Sequence, residues 1–208
     1  MILTDAVSQY IDRLRPPPHR VLAEMEAHAA REGIPIVVPP TGRLLEVLAL
    51  GRGARRAVEI GTAIGVSTLY IARGLTADGT IVSFEVDRER HEAAAGYLER
   101  AGLRDRADLR LEDARLGLRS LHGKFDFAFM DGIKGQYGDY FEALLPLLDD
   151  RAVLVVDNVL MSGAVASGER SERLSVARAF NERLLTHPEF TATLTPVGDG
   201  VLIAVKHR

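Results

Sequence analysis

The chain is 208 residues long, 47% hydrophobic and 26% charged, with a formal net charge of −3. That length suits one domain with a sizeable core, and the charge balance carries no basic excess that would advertise nucleic acid or an anionic membrane surface. Cysteine is absent, which excludes disulfides, thiolate metal sites and cysteine nucleophiles and fits a cytoplasmic location.

The first fifteen residues mix Asp5, Asp12 and Arg13 into their apolar positions and do not read as a signal peptide. No uncharged apolar run approaches membrane-spanning length. Residues 6–14 predict a short helix, stopped by Arg15-Pro16-Pro17-Pro18. Residues 20–31 predict a second, stopped by Gly33 and Pro35. Thr41 is expected to cap a third over 42–50, with Leu44, Leu45 and Leu48 on one face. These first 50 residues read as a helical extension of a single domain spanning 1–208.

An alternation of strands and helices follows. Strands are expected at 57–60, 80–84, 107–111, 125–130 and 152–156, with helices at 67–73, 88–100, 116–121 and 140–148 between them. Such alternation implies right-handed crossovers and a doubly wound, parallel α/β sheet. The tail differs: residues 190–194 and 201–205 flank Val197-Gly198-Asp199-Gly200, the pattern of an antiparallel hairpin. Residues 162–173 are polar and read as a mobile loop entering a helix near Ser171. Arg170, Arg173, Arg178 and Arg183 read as a solvated helix face, and Tyr137 and Tyr140 as core or rim residues.

Two of the strands end on acids. Phe125 to Met130 runs into Asp131-Gly132-Ile133-Lys134, and the strand at 152–156 runs into Asp157-Asn158. Apolar runs of this kind are buried parallel strands, and open α/β sheets bind ligands at their carboxyl ends. Two carboxylates and an amide delivered there suit a hard cation, with a lysine beside it. The turn after the first strand reads Gly61-Thr62-Ala63-Ile64-Gly65. Ala63 replaces the middle glycine of a dinucleotide fingerprint, which disfavours a pyrophosphate. Glu59 at the strand end suits an ammonium or sulfonium, Glu85 can accept ribose hydroxyls, and Asp113-Ala114 fall where an adenine edge would lie. Together they describe a nucleoside carrying a cation, which is S-adenosylmethionine.

From about residue 34 onward the chain resembles the cation-dependent, catechol O-methyltransferase-like family. The matching pieces are VEIGTAIGVS (58–67), FEVD (84–87), FDFAFMDGIKGQY (125–137) and VLVVDNVL (153–160). GTAIG, KGQY, DNVLMSG, HPEF and PVGDG further resemble the bacterial tRNA 5-hydroxyuridine methyltransferases. The resemblance implies a Rossmann-like class I methyltransferase sheet of order 3-2-1-4-5-7-6 with strand 7 antiparallel. It implies that Asp131, Asp157 and Asn158 hold Mg²⁺ or another divalent cation, and that Lys134 is the base. It implies that Val37, Glu59, Gly61, Ala63, Ser67, Glu85, Asp113, Ala114 and Asp131 line the S-adenosylmethionine site, with Val37 near the methionine portion. A homodimer is also expected from the family. The acceptor is then the metal-chelated hydroxyl of a catechol-like small molecule, or alternatively a hydroxyuridine in tRNA. Many relatives carry Asp-Ala-Asp-Lys where this chain has Asp131-Gly132-Ile133-Lys134.

Overall fold

In a computed structural model, residues 5–208 are described. Met1 to Thr4, and with them the start of the segment weighed as a leader, lie outside the described residues. Three helices come first: α1 (Asp5–Leu14), α2 (Arg20–Glu32) and α3 (Pro39–Arg52). The third starts earlier than expected and Thr41 does not cap it. Val38 is the N-cap residue, Pro39 and Pro40 form the first turn, and Thr41 is buried one step further in. Proline suits this place because its missing N–H has no partner to lose there and its fixed φ is already helical. Gly33 and Gly53 end α2 and α3 in left-handed conformations.

The alternating segment is β1 (Arg56–Ile60), α4 (Val66–Gly74), β2 (Thr80–Glu85), α5 (Arg88–Arg100), β3 (Ala107–Leu111), α6 (Ala114–Gly117), β4 (Phe125–Met130), α7 (Tyr137–Leu144) and β5 (Leu148–Val156). Two helices sit earlier than the sequence pattern placed them. Asp113 caps α6 by accepting from Arg115 N at 2.8 Å, so that helix starts at Ala114. Pro146 tightens Leu145–Leu147 into a 3₁₀ turn, which ends α7 and lets β5 begin at Leu148. β5 reaches its full length across a register shift against β4, with Arg151 at φ +60°. The chain closes with α8 (Glu172–Leu185), β6 (Phe190–Thr195) and β7 (Val201–Lys206).

The seven strands form one sheet in the order β3-β2-β1-β4-β5-β7-β6. The first five are parallel, and β7 runs antiparallel to both β5 and β6. This is the expected methyltransferase-type architecture. Strand alternation divides the core into two layers. Phe127, Phe129, Val153 and Val155 face α2 to α5, while Ala128, Met130, Leu154 and Val156 face α6 to α8. The strand order reverses between β1 and β4, and a crevice opens beyond the carboxyl ends of the two strands. Among the described residues no helix is long and apolar enough to cross a membrane.

Candidate active site

At that crevice lies a cavity of about 480 Å³. Gly61, Ala63, Glu85, Asp113, Ala114, Asp131, Lys134, Asp157 and Asn158 line it together. Val37, Glu59 and Ser67 do not. Val37 is buried behind Pro35, Ile36 and Val38, which do form wall. Ser67 is buried in the first turn of α4.

The two acid-ended strands deliver their side chains side by side because β4 and β5 pair in parallel, Met130 opposite Val156. The next residues continue that alignment: Asp131 N donates to Ile60 O at 2.9 Å, and Asp157 N donates to Met130 O at 3.1 Å. Asp131 Oδ1 accepts from Lys134 Nζ and from Asn158 Nδ2, both at 2.8 Å. Asp157 Oδ1 accepts from Asn158 N at 2.8 Å, and Tyr137 Oη donates to the Asp157 carbonyl at 3.1 Å. Burial pushes the Asp131 carboxyl up although Lys134 and Asn158 stabilise its anion. Asp157 is pushed up to about 7, by burial first and by the nearby Asp131 charge second.

This donor set fits a hard divalent cation. Among the described residues no three His, Cys, Asp or Glu side chains gather, so a three-donor set here depends on the Asn158 amide. Two carboxylates and an amide oxygen are the ligand type Mg²⁺ prefers, with room left for other oxygens. Two crowded, poorly solvated carboxylates are also what a divalent charge relieves. Asn158 turns Nδ2 toward Asp131, and rotation of the amide about its terminal bond presents Oδ1 instead.

On the other side of the crevice, Glu85 is held by three backbone amides. Oε2 accepts from Ala63 N at 2.8 Å, and Oε1 accepts from Val86 N at 2.8 Å and Asp87 N at 2.9 Å. A carboxylate has about four acceptor positions, so hydrogen-bonding capacity remains toward the cavity. Asp113 pairs with Arg115 at 2.7 Å, and that hydrogen bond holds its carboxyl below the usual range. Glycine at 132 has a local reason: a Cβ there would stand 2.8 Å from the Tyr140 ring and 3.0 Å from Ile60. Tyr140 in turn donates to Gln136 Oε1 at 2.6 Å, and both line the cavity. Neither residue stood out in the sequence as a site residue. A tyrosine placed one turn into a helix carries no local mark of facing a crevice.

Glu59 lies beneath this floor, fully buried. Its Oε2 accepts from Thr68 Oγ1 and Ser83 Oγ, each at 2.5 Å, and the Ser67 hydroxyl also stabilises its anion. Burial pushes its carboxyl up to about 7. The folded protein therefore keeps the Glu59 proton to higher pH than the unfolded chain, so its ionisation subtracts stability between the unfolded value of 4.5 and about 7. The expected loss is roughly 3 kcal/mol, full above pH 7 and absent below pH 4.5. In urea unfolding at pH 5 and pH 8, Glu59→Gln should lose less stability between the two than wild type does. Equal losses would show that Glu59 does not change charge in that window.

Comparison with known proteins agrees with this architecture. Residues 16–207 match the O-methyltransferase family. Tricin synthase 2 of Oryza sativa subsp. japonica is 35% identical over 179 residues, covering 79% of this chain and 61% of that protein. The chain thus spans less than two thirds of that relative's length. The O-methyltransferase from Bacillus cereus, solved in complex with SAH, superposes with a TM-score of 0.87 at 33% identity, covering 97% of both chains. TomG from Streptomyces achromogenes, an O-methyltransferase involved in tomaymycin synthesis and solved with SAM, gives 0.86 at 32% identity and covers 100% of both. With a matched fold across its whole length and a family match from residue 16 to residue 207, the chain belongs to the O-methyltransferase family.

Proposed function

We propose that the protein transfers the methyl group of S-adenosylmethionine to one of two adjacent hydroxyls on a catechol-like small molecule, with the help of a divalent cation. The observation that carries this reading is the convergence of two groups of residues on one cavity. Gly61, Ala63, Glu85, Asp113 and Ala114 form the side suited to a nucleoside, and Asp131, Lys134, Asp157 and Asn158 form the side suited to a chelated oxygen pair. The SAH- and SAM-bound relatives support the choice of methyl donor.

In this reading Asp131, Asp157 and Asn158 hold the cation. When bound, that ion supplies charge stabilisation that lowers the pKa of a coordinated hydroxyl. Lys134, in its neutral amine form after giving up the proton it shares with Asp131, takes the hydroxyl proton at Nζ. Glu85, fixed by its three amide donors, orients the ribose without a search over rotamers. Pro35, Ile36 and Val38 add apolar surface to the cavity wall. The protein's contribution is alignment of the acceptor oxygen with the methyl group.

A small acceptor is favoured over RNA by the charge of the wall. Glu85, Glu112, Asp113, Asp131, Asp157 and Asp199 face it, against Arg90 and Lys134. Such a lining repels a phosphate backbone. A hydroxyuridine in tRNA offers a similar oxygen pair and remains the alternative, on the motif resemblance.

Labelled S-adenosylmethionine incubated with a catechol panel, and separately with hydroxyuridine-containing tRNA, separates the two. Label is expected in the catechols, with EDTA abolishing it and Mg²⁺ restoring it. Transfer that persists in EDTA would remove the cation from the mechanism. Label in tRNA alone would replace the small acceptor with the nucleoside.

A further inference from the structure

The cation residues Asp157 and Asn158 open a loop whose backbone is unusually left-handed. Asn158 (φ +59°), Met161 (+52°), Ser162 (+55°) and Gly163 (+83°) all lie on the side of φ that L-residues avoid. Asparagine tolerates that region through its short polar side chain, but methionine and serine have no such relief. A path of this kind persists only where its surroundings over-determine it.

The surroundings do so from the β6–β7 turn and from α8. The Gly200 carbonyl accepts from Val159 N at 3.1 Å, and the Asp199 carbonyl accepts from Leu160 N at 2.9 Å. The Asp199 carboxylate then accepts from Ser162 N at 2.6 Å, the short charge-assisted bond of the group. Asn181, buried in α8, donates Nδ2 to the Val159 carbonyl at 2.9 Å. Gly200 has no side chain because one would collide with Leu160. The turn is therefore fitted to the loop by backbone, side chain and shape together. Asp199 also lines the cavity that Asp157 and Asn158 line.

We propose that Asp199 is a positioning residue: by capping the Ser162 amide it holds the loop after β5 in its left-handed path and so fixes Asn158 beside Asp131 and Asp157. The part of this that concerns cation binding rests on the function proposed above; the part that concerns the loop does not. Asp199 acts through the loop backbone, and an asparagine can make the same bond because its amide oxygen also accepts. A purely electrostatic role, in which the Asp199 charge attracts the cation directly, would be lost in asparagine.

The experiment compares wild type, Asp199→Ala and Asp199→Asn without methyl donor or acceptor. Hydrogen exchange is followed over residues 159–163, with β4 as an internal control for global folding, and Mn²⁺ affinity is measured by calorimetry. Asp199→Ala should lose loop protection while β4 keeps its own, and should bind Mn²⁺ about tenfold more weakly, in the range seen when a partner of a metal ligand is removed. Asp199→Asn should keep the loop protection and most of the affinity. The proposal is overturned if the alanine variant keeps its loop protection, or if the asparagine variant loses as much affinity as alanine while its loop stays protected. If wild type binds no Mn²⁺, the cation reading fails, and loss of loop protection in alanine with its retention in asparagine still establishes the latch.

Discussion

Replacing Lys134 with methionine should lower kcat for methyl transfer by about 10²–10⁴, the usual worth of a positioned general base. Methionine keeps the length and most of the apolar contact of the lysine stem but cannot take a proton. The side chain starts from the 3₁₀ turn Lys134–Gln136, three residues after Asp131, and this spacing brings Nζ to 2.8 Å from Asp131 Oδ1. Its ammonium also stands 5.3 Å from the Tyr137 ring centroid, so the group is held from two sides. Removal leaves the buried Asp131 carboxylate with the Asn158 donor alone and without its lysine countercharge, so the site becomes more negative. Mn²⁺ affinity should therefore hold or rise, and S-adenosylmethionine affinity should be unchanged. The residual rate should climb with pH as solvent hydroxide takes over the proton. A variant that turns over at the wild-type rate across the pH range would remove Lys134 from the chemistry. One that loses cofactor and Mn²⁺ binding together would mark it as structural.

The strands that build this site are legible in the sequence because they are buried on both faces. Phe127 to Met130 and Ala152 to Val156 are continuous buried apolar runs, and each stops at the residue where the chain meets the crevice. Their acids could then be read as neighbours, since consecutive parallel strands present their carboxyl ends on one edge. What the sequence pattern misplaced was decided by tertiary partners. Arg178 was expected to be solvated. Instead its guanidinium donates to the carbonyls of Ala164, Val165, Ser167 and Glu169, and the loop expected to be mobile is tied to α8 by one side chain. An arginine that holds a loop and one that faces water have the same helical spacing. Asp199 was legible only as a turn residue, because its bond to Ser162 spans 37 positions. Glu59 was expected to line the cofactor site; it is fully buried, does not line the cavity, and is bonded to Thr68 and Ser83. The two faces of a strand end cannot be told apart when both are covered.

Gly61 shows the same division between local and tertiary causes, and its replacement tests which one dominates. The family resemblance gave it to the ligand, among the residues that line the S-adenosylmethionine site. The structure adds a stricter demand: a Cβ at Gly61 would stand 2.5 Å from the carbonyl oxygen of Asp131, and its φ is +95°. β1 and β4 converge here, with Gly61 N donating to Phe84 O on the β2 side at 3.1 Å and Asp131 N donating to Ile60 O. Backbone on both sides leaves no flexible side chain to give way. Gly61→Ala should therefore cost about 2–5 kcal/mol, combining the left-handed penalty with overpacking. That is a large part of the ~5–15 kcal/mol that holds a domain folded. Gly65 is the matched control. It has nearly the same φ, +89°, but its added Cβ would meet the Ala94 methyl at 3.2 Å rather than a carbonyl. Gly65→Ala should cost less, about 1–2 kcal/mol for the conformational part together with a shift of a few tenths of an ångström at Ala94 on α5. Urea unfolding of both variants without cofactor reads the difference directly. If the two losses are equal, the close approach of β1 to Asp131 is not what requires glycine at 61, and the ligand regains its claim on that position.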